Sequence, residues 1–229
     1  MSTPIHTVLD LPYAVEMAAV TFGALSGALH ATRKGFDPVG VFALALICAI
    51  GGGAIRDGLL QHGTPVFLVS PAYLASAAFA AVVGLFFARL VRAALPVINV
   101  VDTLLIGVWV VIGAERALVV DLSYTSAAFL GVITATGGGL LRDLMCHDVP
   151  SAVRPGEWYV AAAIPAAIVF VVLVGAGVAI ELAQLVTIVG AASLRALSLR
   201  LGWRTPTAYD VWGNLEERFA ASLSRSSGP

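Results

Sequence analysis

The chain has 229 residues, of which 59% are hydrophobic and 12% are charged, and its mean hydropathy is +0.93. Soluble domains are about half apolar and about a quarter charged, so this composition predicts an integral membrane protein with the lipid bilayer as a partner. The formal net charge of -1 offers no basic face for phosphates, which excludes a nucleic-acid partner.

Seven segments are long and apolar enough to cross a bilayer, which takes about 20 residues. They cover residues 13–32, 38–60, 71–92, 96–120, 126–146, 157–174 and 178–199. Pro38 suits the first turn of the second span. A cleavable signal peptide begins with a positively charged region, and residues 1–12 contain no Lys or Arg. We therefore expect the first span to stay as an anchor. The predicted fold class is an all-α membrane protein with seven transmembrane helices.

Positive charges lie on one side of these spans. They lie at or after the ends of the first, third, fifth and seventh spans, at Arg33, Lys34, Arg89, Arg92, Arg154, Arg195, Arg200, Arg204, Arg218 and Arg225. The connections on the other side, around 61–70, 121–125 and 175–177, contain no Lys or Arg. Cytoplasmic loops carry the excess of positive charge. We therefore expect a multi-pass protein of the inner (plasma) membrane, with its N-terminus outside and its C-terminus in the cytoplasm.

A short motif occurs twice, 86 residues apart: GGGAIRD at 51–57 and GGGLLRD at 137–143. The surrounding sequence divides accordingly into repeat 1, residues 13–92, and repeat 2, residues 93–174. Each repeat holds three spans, an odd number, so the two halves must be inverted in the membrane. Inverted three-plus-three repeats are typical of transporters and channels, with the site near the midplane where the halves meet.

The remaining segments lie outside the duplication. Residues 1–12 form an N-terminal segment on the outer side. The seventh helix, residues 175–203, has no counterpart and is expected to be peripheral or an oligomer contact. Residues 204–229 form a cytoplasmic tail, for which a short amphipathic helix and disorder are equally compatible with the sequence.

The duplicated glycines have two interpretations. Each Gly costs about 1 kcal/mol against Ala in a helix interior, so a triplet is a weak point where carbonyls can leave the helix and face a cavity. The simpler interpretation is that small residues let helices cross closely. Because the triplet is duplicated and followed by Arg-Asp both times, the sequence favours a functional break. Replacing Gly52 or Gly138 by Ala should then lower flux without affecting assembly. The pore or kink residues are Gly51, Gly52, Gly53, Gly137, Gly138 and Gly139.

The charged pairs also have two interpretations. A charge at the centre of a membrane helix costs about 2.5–3.5 kcal/mol, so it faces the interior, a lumen or the interface. These side chains are predicted either to line or gate a path, or to form an ion pair between the repeats. The residues are Arg56, Asp57, Arg142 and Asp143.

Other polar residues give weaker signals. Charges near span ends can extend to water, which is the expectation for Glu16, Asp102, Glu115, Arg116 and Glu181. The histidines lack the spacing of metal ligands, and neither GxSxG nor HExxH is present. The sequence therefore predicts no enzyme, no catalytic residue, no metal site and no cofactor.

The duplicated GGGxxRD motif resembles the trimeric intracellular cation (TRIC) channel family, bacterial type, which is often described as a "glycine transporter" domain. Further similar positions are Gly27-Ala28-Leu29, Arg33 to Asp37, Gly40-Val41, and Gly113-Ala114 in repeat 2. The resemblance covers about residues 14–203. It implies a homotrimer with an hourglass pore in each protomer, the second and fifth spans kinked at the glycines, and potassium or sodium as permeant ions. The lysine-bearing lipid motif of animal members is absent, so lipid regulation is not implied.

These observations predict a monovalent cation channel whose pore lies between the inverted repeats. The alternative is a secondary transporter of a small solute such as glycine, which the same architecture permits. A purely structural membrane protein would leave the buried charges unexplained.

Overall fold

A computed structural model describes residues 13–87, 95–153 and 159–203, with the backbone alone for 95–104. Within these ranges the chain forms eight α-helices and no strand. The helices are α1 (Tyr13–Arg33), α2 (Pro38–Leu60), α3 (Val66–Val69), α4 (Pro71–Phe86), α5 (Leu95–Val119), α6 (Tyr124–Met145), α7 (Tyr159–Gly175) and α8 (Ile180–Leu201).

The seven longer helices fall on the seven predicted spans, and the four-residue α3 was not predicted. Four of them, α1, α2, α6 and α8, are long and apolar enough to cross a membrane, and α4 and α7 are apolar but shorter. The predicted third span was too long, because α4 ends at Phe86. The N-terminal segment, the tail and the positive charges Arg89, Arg92 and Arg154 lie outside the described residues.

The two glycine-bearing helices begin with a side-chain cap. The Gly40 N–H donates to Asp37 Oδ1 at 2.7 Å, and Pro38 occupies the first turn of α2 as expected. The Ser126 N–H donates to Ser123 Oγ at 3.2 Å at the start of α6. Each cap satisfies an N–H that has no partner within its own helix.

The glycine-bearing helices also end alike. The first residue in the left-handed region after α2 is Gln61, with φ of 48°, and after α6 it is His147, with φ of 55°. These two residues are 86 positions apart. A left-handed residue at this place lets the chain turn back after a helix, so the duplicated sequence specifies the same turn twice.

Helices α1, α2 and α4 pack together, and so do α5, α6 and α7. Helix α2 packs against α6 at the centre, while α8 packs against α5 and α7. The first group buries mainly small side chains, among them Ala24, Ala28, Ala45, Ala77 and Ala80. In a membrane the hydrophobic effect does not drive helices together, and small residues instead let them approach closely enough for favourable packing.

The outer faces carry large apolar side chains, which suits contact with lipid. Phe79 on α4 is 65% exposed, Val172 on α7 is 60% exposed and Leu185 on α8 is 59% exposed. Monomeric soluble proteins rarely expose apolar patches of this extent. This surface and the apolar helices agree with a membrane protein.

One helix contact recurs at the 86-residue offset. A Cβ built on Gly27 of α1 would lie 2.5 Å from the Leu44 carbonyl oxygen of α2, and one built on Gly113 of α5 would lie 2.6 Å from the Leu130 carbonyl oxygen of α6. Any side chain at either position would push the two helices apart. The first and second helices of each half therefore meet at equivalent places.

Candidate functional site

Helices α2 and α6 cross at the middle glycines of their triplets. A Cβ built on Gly52 would overlap the Thr134 carbonyl oxygen of α6. The equivalent Cβ on Gly138 would lie 3.0 Å from the Cys48 carbonyl oxygen of α2. Thr134 and Cys48 are themselves 86 residues apart, so each helix presents a glycine to the same backbone position of the other.

The first glycines complete the crossing. A Cβ on Gly51 would lie 3.5 Å from the Gly138 Cα, and a Cβ on Gly137 would lie 3.1 Å from the Gly52 Cα. The two triplets therefore lie against each other, backbone to backbone. No larger residue type allows this separation of the two helices.

Both helices continue without interruption through their triplets. The predicted break, in which carbonyls leave the helix, is not seen. The reason is that the first two glycines of each triplet are used for close packing, which offsets their low helix propensity. A bend of either helix at the triplet stays a prediction.

The third glycine of each triplet faces open space. A Cβ on Gly139 would meet nothing within 4 Å, and one on Gly53 would meet only the Arg56 guanidinium at 3.6 Å. Both glycines line a cavity of about 240 Å³ beside the crossing. The lining residues with polar side-chain groups are Ser26, Cys48, Trp109, Thr134, Arg142, Ser151, Tyr159 and Arg195.

Each arginine of the duplicated motif, the buried Arg56 and the partly buried Arg142, is held by the aspartate that follows it. The Arg56 Nε donates to Asp57 Oδ1 at 2.7 Å, and the Arg142 Nε donates to Asp143 Oδ1 at 2.9 Å. The interpretation of these charges as an ion pair between the repeats is therefore wrong, because each pair lies within one helix.

The second oxygen of each aspartate fixes the following loop. Asp57 Oδ2 accepts the Val66 N–H at 3.2 Å, and Asp143 Oδ2 accepts the Ser151 N–H at 2.8 Å. Each carboxylate thus neutralises one guanidinium and satisfies one backbone donor. Of the four predicted charges, Arg142 lines the large cavity, Arg56 and Asp57 line a smaller one, and Asp143 faces the loop.

The smaller cavity, of about 20 Å³, lies at the Arg56 side of the crossing. Its wall includes Glu16 and Tyr73, whose hydroxyl donates to Glu16 Oε1 at 2.6 Å. Glu16 therefore has a protein partner, whereas the sequence predicted that its side chain extends to water. Ala49, Gly53 and Trp109 line both cavities.

Helix α8 contributes to the site, although the sequence predicted a peripheral helix. Arg195 is 5% exposed, and its guanidinium carbon lies 5.7 Å from the centre of the Tyr159 ring. The Tyr159 hydroxyl donates to the Ala135 carbonyl oxygen at 3.3 Å. From the sequence, Arg195 was predicted at the cytoplasmic end of the span. Its position six residues before the end of α8 is the signal that could have placed it inside.

A buried polar pair joins α5 to α8. The Gln184 side-chain amide donates to Glu115 Oε1, and Glu115 is only 3% exposed. The expectation that Glu115 extends to water is therefore wrong. A polar side chain inside a membrane protein is tolerated where a neighbouring helix supplies its partner.

A third polar cluster ties the end of α1 to the loop after α6. Lys34 Nζ donates to Asp148 Oδ1 at 2.6 Å, and His30 Nε2 lies 3.1 Å from Asp148 Oδ2. The hydrogen bond from Lys34 lowers the pKa of Asp148 below its usual range. Among the described residues no group of three His, Cys, Asp or Glu could hold a metal ion.

This arrangement matches solved structures of cation channels. One, described as "Structural basis for conductance through TRIC cation channels", has a TM-score of 0.80 at 28% identity, covering 86% of this chain and 97% of that chain. The TRIC trimeric intracellular cation channel orthologue from Rhodobacter sphaeroides has a TM-score of 0.77 at 33% identity, covering 83% and 98%. The chain is thus an all-helical membrane protein with the fold of the TRIC cation channels.

Sequence relatives point the same way. The family model described as Glycine transporter matches residues 13–89 and 99–175, two stretches that start 86 residues apart. A UPF0126 membrane protein of Vibrio cholerae is 39% identical over 163 residues, which is 69% of this chain and 67% of that protein. The UPF0126 inner membrane protein YadS of Escherichia coli is 31% identical over 200 residues, which is 86% and 96%.

The chain belongs to this Glycine transporter family, and the predicted resemblance to the TRIC channel family is confirmed. These relatives are membrane and channel proteins rather than enzymes.

Proposed function

We propose that the chain is a monovalent cation channel, with potassium or sodium passing through the cavity beside the α2–α6 crossing. The observation that carries the proposal is the lining of that cavity: glycine backbone, the hydroxyl-bearing residues Ser26, Thr134 and Tyr159, and an arginine held by a carboxylate. Oxygen atoms of backbone and hydroxyl groups can replace part of the water around a cation.

The charge of the site is compatible with a cation. An arginine beside an ion path repels cations unless a carboxylate neutralises it. The Arg142 Nη2 lies 2.8 Å from Asp143 Oδ1, and the Arg56 Nε lies 2.7 Å from Asp57 Oδ1. The Arg56 and Arg142 guanidinium groups are therefore each compensated by a carboxylate. The third arginine in the lining, Arg195, lies over the Tyr159 ring, with 5.7 Å between its guanidinium carbon and the ring centre.

The size of the cavity suits a partly hydrated ion. Its volume of about 240 Å³ is roughly eight times the share of one molecule in liquid water, about 30 Å³. Ion and water can thus enter together, which avoids the cost of complete dehydration.

For the membrane arrangement we propose seven spans, formed by α1, α2, α4, α5, α6, α7 and α8, with two inverted halves. The N-terminus lies outside and the C-terminus lies in the cytoplasm, as the positive charges favour. The name of the Escherichia coli relative supports the inner membrane. Labelling single cysteines placed in the loops at 61–65 and 176–179 from outside the cell tests this orientation.

We further propose that the protein assembles as a homotrimer, each protomer with its own path. Support comes from the similarity to the trimeric channel of Rhodobacter sphaeroides. The mass of the detergent-solubilised protein, measured by light scattering, should be about three times 23.6 kDa. A monomeric or dimeric mass would contradict this part of the proposal.

Purified protein in a planar bilayer tests the function. We expect unitary currents with potassium as the main cation and no saturable uptake of glycine into vesicles. The opposite result, saturable glycine uptake without unitary currents, would contradict the channel and favour the secondary transporter. The double variant R142A/D143A, with a disrupted large cavity, provides a matched control for currents from contaminants.

A further inference from the structure

The two cavities share part of their lining. Three residues line both: Ala49, Gly53 and Trp109. Alanine and glycine occupy almost no space at such a boundary, so the indole of Trp109 is the only one of the three with the bulk to obstruct it.

The second half supplies this indole, and the first half supplies nothing equivalent. The residue 86 positions before Trp109 is Gly23 on α1, which also lines the large cavity. A Cβ on Gly23 would lie 3.1 Å from the Cys48 carbonyl oxygen, so α1 leaves no room for a second large group. The obstruction therefore comes from one side of a site that is otherwise built alike from both halves.

Trp109 also packs against hydrophobic clusters from both halves. On one side these include Val20 and Ala49 of the first half, and on the other Val110 and Ala135 of the second half. It also packs against the cluster formed by α1 and α5, which contains Ala19 and Ile112. Contacts from both halves hold the indole at the boundary and link its position to the relative position of the halves.

We propose that Trp109 is the constriction of the path, a bulky and mainly apolar side chain that separates the cavity on the Arg56 side from the cavity on the Arg142 side. A narrow apolar ring excludes water and limits ion flow until it widens. This inference rests on the proposed cation path, and it adds the residue that sets the width of that path. A smaller residue at position 109 joins the two cavities.

Single-channel conductance tests the constriction. We expect Trp109→Ala to raise the unitary potassium conductance at least threefold, and Trp109→Phe to raise it by less, because the phenyl ring is smaller than the indole. Trp203, which lies beyond the end of α8, provides the matched control: Trp203→Ala should leave conductance unchanged. Conductance of both Trp109 variants within error of the wild type would contradict the proposal.

Thiol access tests the same inference without an ion current. The native Cys48 and Cys146 are replaced by Ala, and Ser26, which lines the large cavity only, is replaced by Cys. A charged methanethiosulfonate reagent, which is longer than a potassium ion and cannot pass a closed constriction, should then react with this thiol from the Arg142 side only. Adding Trp109→Ala should raise the rate from the Arg56 side at least tenfold and leave the other rate unchanged.

The two measurements separate the inference from the function on which it rests. Increased access without currents in any variant would contradict the channel but retain Trp109 as the constriction. Unchanged access in folded Trp109→Ala protein, judged by a single gel-filtration peak, would place the constriction elsewhere and overturn the inference. If Trp109→Ala does not fold, Trp109→Leu keeps an apolar contact and gives the same two outcomes.

Discussion

The two Arg-Asp pairs have the same local geometry and different surroundings. In each, the arginine Nε donates to the neighbouring aspartate and the second aspartate oxygen accepts a loop N–H. The Arg56 side chain is 4% exposed, whereas the Arg142 side chain is 23% exposed and borders the larger cavity. The motif therefore specifies the pair, and the neighbouring helices decide how much space lies beside it.

Two neighbours account for this difference. The position that holds Gly23 in the first half holds Trp109 in the second, which divides the space unequally. Among the described helices, α8 packs against α5 and α7 of the second half and brings Arg195 to the larger cavity. The duplicated sequence thus gives two equivalent helix arrangements. The features without a counterpart in the first half, Trp109 and α8, make the two cavities different.

The largest expected effect breaks the crossing itself. Gly52→Ala places a Cβ on the Thr134 carbonyl oxygen, so the helices must separate at a cost of about 3 kcal/mol or more. Gly138→Ala has a 3.0 Å contact and should cost about 1–2 kcal/mol. Thermal unfolding in detergent, followed by loss of the trimer, measures both. The sequence-based expectation that these changes leave assembly intact is thereby revised.

Gly139→Ala is the matched control within the same triplet. Its Cβ meets nothing within 4 Å, so the change should be neutral or stabilise the helix by up to about 1 kcal/mol. Because that Cβ enters the cavity, ion flux should fall modestly. Equal destabilisation by Gly139→Ala and Gly52→Ala would show that helix propensity, rather than close packing, explains the triplets.

A second pair of variants sharpens the comparison between halves. Asp57→Ala leaves the deeply buried Arg56 without its carboxylate. Because the smaller cavity borders this pair, the cost should lie at the low end for a broken buried pair, about 3 kcal/mol. Asp143→Ala should cost less stability because water in the larger cavity can reach Arg142, but it should reduce cation conductance more. Melting temperatures and unitary conductances should therefore rank the two variants in opposite orders. If both measurements gave the same order, the distinction between a mainly structural Asp57 and an Asp143 that affects conductance would be contradicted.

The smallest effect concerns the cluster of Lys34, His30 and Asp148. Because the folded pKa of Asp148 is lowered, its contribution to stability is present above the unfolded value of about 3.9 and is lost as the pH falls through the folded pKa. Asp148→Asn should thus unfold slightly more easily than the wild type at pH 6–7. The difference in stability between the wild type and Asp148→Asn should vanish at the lowest pH that the protein tolerates. A difference that stays constant down to that pH would show that the variant loses stability through another contact.

Much of the fold follows from periodic and compositional signals. Apolar runs of sufficient length predict the long helices, and Asp37-Pro38 marks the start of α2. The exact repeat of GGGxxRD predicts equivalent surroundings, which the contacts of Gly52 and Gly138 bear out.

The site was less predictable because it depends on which helices become neighbours. Charges next to one another in sequence gave no indication that Arg56 pairs with Asp57 rather than with the other repeat. A lone Arg195 or Trp109 carries no motif, and only packing brings each to the cavity. The absence of a helix break at the triplets was unpredictable for the same reason. The glycines pack against carbonyl oxygens of the opposite helix, and this contact depends on how the two helices cross.

The most direct test of the central claim, a cation path beside the α2–α6 crossing, is the reversal potential of the reconstituted wild type across a tenfold gradient of potassium chloride. We expect a value near the cation equilibrium potential, about 59 mV, and a conductance that falls in Asp143→Ala. A reversal potential of similar size and opposite sign, or no current at any gradient, would contradict a cation channel.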